Sequence, residues 1–154
     1  MKGGIRMKGQ VSTELLVIVA LVLLIFIPLL VLVYLKASEA NQQIASYQAE
    51  LAVTRIASLA NSVGSLGTNS SVVTDVYVPP NTIWLNTTQS GQGGVIVLRL
   101  KTPEGVKDAP EIVKFPISNP GTLADSSSAG GWMKLNISSV YQGNVAHVKI
   151  ERVS

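Results

Sequence analysis

Residues 10–65 join a continuous apolar segment to an amphipathic one. Within residues 15–35 no side chain carries a formal charge, and the only polar side-chain atom is the hydroxyl oxygen of Tyr34. A helix of that length reaches about 30 Å, the thickness of the hydrocarbon core of a bilayer. Because this segment is apolar on every side, it predicts a helix buried either in lipid or among similar helices.

After Lys36 the apolar positions follow a stripe along one side of a helix. Their spacing alternates between four and three residues, at Ala45, Ala49, Ala52, Ile56, Leu59 and Val63, with Ile44 and Leu51 widening the stripe. This spacing is typical of a helix that packs one face on a core. We predict one helix over residues 11–63, ended by Gly64 and Gly67. At about 80 Å it would be longer than a small domain can cover, so its first half is expected to protrude.

Residues 66–154 predict an antiparallel β domain. Segments rich in valine, isoleucine and aromatic residues alternate with Gly, Pro and Asn turns, which predicts strands at 72–78, 82–87, 95–101, 111–117, 132–139 and 145–153. Several of these segments alternate between apolar and polar residues. The inward positions would be Ile96, Leu98, Leu100, Met133, Leu135, Ile137, Ala146, Val148 and Ile150. The alternation indicates a sheet covered on one face, with the helical stripe as its cover. The predicted fold class is α+β.

Composition and charge exclude several classes of function. The chain has no cysteine, which excludes disulfides and thiolate chemistry. Lys2, Arg6 and Lys8 account for the whole excess of 12 basic over 9 acidic side chains. Removal of residues 1–9 would therefore balance the side-chain charge. A nucleic-acid partner is not expected.

Two ordinary explanations compete for the N-terminal segment. A conventional secretory signal has a shorter apolar stretch followed by a small-residue cleavage site, and Tyr34-Leu35-Lys36-Ala37 is a poor site of that kind. A plain membrane anchor fits the length of the segment. The positive-inside rule would then place Lys2, Arg6 and Lys8 in the cytoplasm and residues 36–154 outside.

The motif Lys8-Gly9-Gln10-Val11-Ser12-Thr13-Glu14 supports a third interpretation. It resembles the processing site of archaeal type IV pilin-like proteins with a class III signal peptide, whose mature chains begin Gln-x-Ser-x-Glu and run directly into the apolar segment. Here those positions are Gln10, Ser12 and Glu14. The resemblance covers residues 1–35 and departs from the family at Ile18, where members often carry leucine. Met1 and Met7 both remain candidates for the start.

The resemblance implies a maturation pathway and a set of partners. Prepilin peptidase would cleave between Gly9 and Gln10 on the cytoplasmic side, and the apolar helix would stay on the mature chain. The helix would serve first as a membrane anchor and then, through the membrane assembly machinery, as the core of an extracellular filament of identical subunits. The helix-plus-sheet architecture predicted from periodicity agrees with that family.

Glu14 and Pro28 are the candidate assembly residues. A lone carboxylate in a helix bundle costs several kcal/mol unless it is paired. Cleavage would create an α-amino group on Gln10, and the resemblance implies that Glu14 pairs with this group of a neighbouring subunit and so fixes the register. Alternatively, Glu14 lies at the lipid headgroups, or Gln10 cyclises and Ser12 and Thr13 supply hydrogen bonds instead. Pro28 is either a tolerated membrane-helix proline or a built-in kink.

The other candidate sites lie in the β domain. Asn69, Asn86 and Asn136 open Asn-x-Ser/Thr sequons and are candidate N-glycosylation sites. Trp84 and Trp132 are at strand positions predicted to face outward. They would form either a second apolar layer or subunit contact, or a surface that stacks on sugars. The single histidine, His147, is expected on a solvated strand face. We find no catalytic, metal-binding or cofactor motif, and Gly91-Gln92-Gly93-Gly94 is expected to form a hairpin turn rather than a phosphate loop.

The sequence thus favours a structural subunit of an archaeal adhesive pilus, exported as a precursor in the cytoplasmic membrane. An enzyme is not expected. The alternative, from another class of function, is a membrane-anchored surface domain that binds a ligand without polymerising. An archaellin-like filament subunit is less favoured, because the usual archaellin leader differs from Gln10-Val11-Ser12.

Overall fold

The computed structural model describes the backbone of residues 5–153 and the side chains of residues 11–153. Helix α1 spans Ile5–Leu66 and is followed by seven strands and one short 3-10 turn: β1 Ser71–Val78, β2 Thr82–Ser90, β3 Gly93–Thr102, β4 Gly105–Val113, β5 Gly121–Asp125, the turn Ser126–Ser128, β6 Gly131–Gln142 and β7 Val145–Val153. The predicted α+β class is confirmed. The chain divides into two compact units, Met1–Asn41 and Gln42–Ser154, each described by itself below.

Helix α1 is longer at both ends than the sequence predicted. It begins at Ile5 rather than near residue 11, since no proline interrupts this part of the chain. Its end at Leu66 is followed by Gly67 with φ +87°, the left-handed conformation typical of the residue after a helix. The hydroxyl oxygen of Ser70 lies 2.9 Å from the carbonyl oxygen of Val63 and 2.7 Å from that of Gly67, so its single hydrogen is shared between these two acceptors at the end of the helix.

Gly64 does not end the helix, contrary to the prediction. It lies inside α1 and is buried. A Cβ atom at this position would overlap the ring of Phe115, so the glycine permits a close approach between α1 and the segment after β4. Its role is packing, and Gly67 alone acts as the helix terminator.

The strands form two antiparallel sheets rather than the single predicted one. One has the order β1-β6-β7 and the other the order β4-β3-β2-β5. The sheets meet where Ile117 forms a parallel bridge with Val148. There the amide of Ser118 donates to the carbonyl of Val148 at 2.9 Å, and the amide of Val148 donates to the carbonyl of Pro116 at 2.8 Å. Residues 116 and 117 were predicted as the end of a strand, but together with Ser118 they link the sheets instead.

Strands β4 and β5 differ most from the prediction. β4 was predicted at 111–117 but occupies Gly105–Val113, because the tight turn after β3 pairs Thr102 with Gly105 and continues into the strand. Pro110 is tolerated because β4 is an edge strand. On the open side of such a strand a missing amide hydrogen costs no backbone hydrogen bond to a neighbouring strand. β5 was missed altogether. It is a short edge strand that pairs with β2 and lies between the predicted strands at 111–117 and 132–139.

One core joins the C-terminal part of α1 to both sheets. All the predicted inward strand residues are buried except Ala146, which is half-buried. On α1, Leu59 is partly buried and the rest of the predicted central stripe is buried. Ile44 and Leu51 are exposed by 52% and 70%, so the prediction that they widen the stripe is wrong. Val53, Ala57 and Ala60 widen it on the other side, and their small side chains allow the helix to approach the sheets closely.

Candidate functional site: the apolar half of helix α1

The side chains of residues 11–41 are all exposed in the isolated chain. Within residues 15–35 the large apolar side chains keep between 47% and 75% of their surface, at Val19 and Tyr34 respectively. By length and composition, α1 is the one helix of the described residues that could cross a membrane. A soluble monomer rarely exposes so large a continuous apolar surface. This surface therefore needs a cover that the single chain does not supply.

Charged groups are confined to the two ends of this apolar surface. Glu14 lies on α1 one turn into the described side chains and is exposed, as is Ser12. At the other end Lys36 donates to the carboxylate of Glu39 at 2.7 Å, and both side chains are exposed. The side chains of Lys8, Gly9 and Gln10 lie outside the described residues. The predicted cleavage site and the pairing of Glu14 with an α-amino group therefore stay predictions.

Pro28 lies in the interior of α1, and the helix is continuous through it. Proline has no amide hydrogen, so the carbonyl of Leu24 receives no helical hydrogen bond from this position. The apolar surface thus contains one weakened turn near its middle. The proposed kink in an assembled filament stays a prediction.

The three sequons occupy two kinds of position. Asn69 is exposed in the turn after α1, with φ +66° in the left-handed region that asparagine tolerates. Asn86 and Asn136 are half-buried in the central strands of the two sheets, β2 and β6. The Oδ1 atom of each is shielded from solvent and has no hydrogen-bond partner within the described chain. Transfer of a glycan to the folded chain would favour Asn69.

We expect glycopeptides in tryptic digests of protein purified from its native host, with the highest occupancy at Asn69. An Asn69→Gln variant should lose that modification without change at the other two sequons. Mass spectrometry of the intact protein and of the digests provides the measurement. Three unmodified peptides would remove the glycosylation hypothesis, and full occupancy of Asn86 with none at Asn69 would contradict the ranking by exposure.

Trp84 and Trp132, which the sequence predicted to face outward alike, have different surroundings. The guanidinium carbon of Arg99 lies 4.6 Å from the centre of the Trp84 ring. Arg99 also donates to both carboxylate oxygens of Asp108, at 2.6 and 2.7 Å, and this contact holds the pKa of Asp108 below its usual value. Trp84 is therefore already covered by a cation. Trp132 is 72% exposed, and its ring meets the ring of Tyr77 edge-on with centroids 5.5 Å apart.

His147 lines a cleft of about 530 Å³ between the β2–β3 and β6–β7 hairpins, together with Lys114 and Asn144. It is half-buried rather than fully solvated, and its Nδ1 atom is shielded without a hydrogen-bond partner among the described residues. Among the residues that the structure describes, no three His, Asp or Glu side chains lie close enough together to hold a metal ion. The predicted hairpin at Gly91 and Gln92 is confirmed as the turn between β2 and β3.

No protein-family model, no curated protein and no solved structure matches this chain in the comparisons made.

Proposed function

We propose that the protein is a structural subunit of an archaeal type IV adhesive pilus. The observation that carries this proposal is the apolar half of α1, which is exposed on all sides although the β domain already has a complete core. The motif that ends in Glu14 directly precedes this surface. A plain anchor explains the length of the segment but not this motif. A subunit whose apolar helix is surrounded first by lipid and then by identical helices accounts for both the length of the segment and the motif.

The physical chemistry favours transfer between two apolar environments. Burial of one large aliphatic side chain contributes about 1.5–3 kcal/mol relative to exposure in water. A helix that passed through water would lose that contribution at most positions within residues 15–35. Lipid tails and neighbouring helices are both apolar, so lateral transfer from the membrane into a growing bundle avoids the loss. The precursor would therefore reside in the cytoplasmic membrane until peptidase and assembly machinery act on it.

Mechanical shearing of intact cells tests this proposal. We expect shearing to move the mature protein into the supernatant, where negative-stain electron microscopy shows filaments. A Gly9→Leu variant, whose cleavage site lacks the small residue, should remain with the membranes at precursor mass. Recovery of the wild-type protein only in the membrane fraction, with no filaments, would contradict the proposal.

The second candidate function is a membrane-tethered domain that binds a ligand without polymerising. The exposed Trp132 favours it, because a displayed aromatic ring is a common binding element. In that case shearing would leave the protein with the membranes. An archaellin-like subunit would also enter the supernatant, but as part of a rotating rather than an adhesive filament.

A further inference from the structure

A groove lies between α1 and the edge strand β1, within the unit Gln42–Ser154. It has a volume of about 250 Å³ and is lined by Gln48, Leu51, Ala52, Arg55, Val76, Tyr77 and Trp132. This groove could not be predicted directly from the sequence, because its members come from one helix and two strands far apart in the chain. The one available signal was Leu51, an apolar residue that the core leaves 70% exposed.

The aromatic part of the groove consists of two rings in contact. Tyr77 on β1 and Trp132 on β6 face each other directly across the two strands. Their rings meet at an angle of 62° with centroids 5.5 Å apart, so each ring restricts the orientation of the other. Trp132 nevertheless keeps 72% of its surface open. No cationic side chain among the described residues covers its ring, whereas Arg99 covers that of Trp84.

The helical side of the groove supplies polar groups. Gln48 and Arg55 lie two turns apart on α1 with Leu51 between them, and all three line the same groove. Arg55 forms none of the ion pairs among the described residues. A guanidinium donates through five N–H groups, and a carboxamide both donates and accepts. The groove therefore combines an open aromatic ring with hydrogen-bonding side chains.

We infer that this groove binds a pyranose ring of a surface saccharide. A pyranose presents an apolar C–H face, which would stack on Trp132, and hydroxyls at its edge, which would hydrogen-bond to Gln48 and Arg55. Pockets for drug-sized ligands occupy about 300–1,000 Å³. The smaller volume of this groove, about 250 Å³, suits a single sugar ring. The inference rests on the proposed adhesive function, since a pilus would display this surface outside the cell.

The test uses the full-length protein in a zwitterionic detergent, because glucoside and maltoside detergents would compete for the groove. The probes are cellobiose, maltose, lactose and N,N′-diacetylchitobiose, with the open-chain polyol sorbitol as the negative control. We expect at least one disaccharide to bind saturably in isothermal titration calorimetry, and sorbitol to give no saturable heat of binding. Trp132→Ala should remove that binding. Arg55→Ala should weaken binding roughly tenfold, as loss of one important contact does.

Trp84→Phe is the matched control and should keep the full response, because Arg99 already covers Trp84. Absence of a saturable response to all four disaccharides would overturn the inference, as would unchanged binding by both Trp132→Ala and Arg55→Ala. Protection of Trp132 from iodide quenching on filament assembly, without saccharide binding, would assign the groove to a subunit contact and also overturn it. Because binding is measured on dispersed protein, its failure is distinguishable from a failure to form filaments.

Discussion

A Glu14→Ala variant is expected to enter the membrane normally and to form filaments at less than a tenth of the wild-type yield. The carboxylate stands at the start of an apolar surface whose large side chains are at least 47% exposed in the single chain. Inside a bundle, its partner would be the α-amino group created on Gln10 of a neighbouring subunit. Loss of the carboxylate would leave that ammonium group buried and unpaired, which costs about 3–5 kcal/mol. Repeated at each added subunit, this cost would stop elongation.

Glu39→Ala is the matched control for this experiment. Glu39 is an acid on the same helix, but its pair with Lys36 is exposed, and water and salt screen such pairs so that they contribute little. Its loss should leave filament yield unchanged. Immunoblots of membrane and sheared fractions, with electron microscopy of the latter, provide the readout. Normal filaments from Glu14→Ala cells would show that the carboxylate has no part in register and lies at the lipid headgroups instead.

An Ile56→Ala variant is expected to lower the free energy of unfolding of the β domain by about 2–5 kcal/mol. Ile56 has no exposed surface and belongs to the single core shared by α1 and both sheets. Truncation of its side chain would leave a cavity that the neighbouring strands can fill only in part. The midpoint of denaturant unfolding, followed by tryptophan emission of the detergent-solubilised chain, should fall accordingly.

Ile44→Ala tests whether this effect depends on burial rather than on helix propensity. The same substitution occurs on the same helix, but Ile44 is 52% exposed. Its effect should stay within about 0.5 kcal/mol. Equal destabilisation by the two substitutions would mean that the assigned core face of α1 is wrong.

The features that sequence predicted well are those with a clear period. The alternation through Ile96, Leu98 and Leu100 identified β3 and its inner face, since side chains in a strand alternate strictly. The apolar helix was equally evident. The predicted core face of α1 was shifted toward Ile44 and Leu51. The reason is that alanines such as Ala57 and Ala60 give a weaker hydrophobic signal than those two residues. Their small size, rather than their hydrophobicity, decides which side approaches the sheets.

Other features depend on contacts that one stretch of sequence does not contain. Pro110 lies within β4, and only the edge position of that strand makes a proline acceptable there. The packing of Gly64 on Phe115 depends on a segment about fifty residues further along the chain. The groove of Leu51, Tyr77 and Trp132 likewise exists only after the helix and two strands assemble. The candidate assembly residues Glu14 and Pro28 came from the motif and the apolar pattern, and the partner proposed for Glu14 would belong to another copy of the chain.

The N-terminus of the chain recovered from sheared filaments tests the central claim most directly. Mass spectrometry of that material should give a first residue of Gln10, or its pyroglutamate form, with residues 15–35 still attached. Limited proteolysis of the intact filaments should leave that segment uncut. A mature chain that retained Met1 or Met7, or one that had lost the apolar helix, would contradict the account.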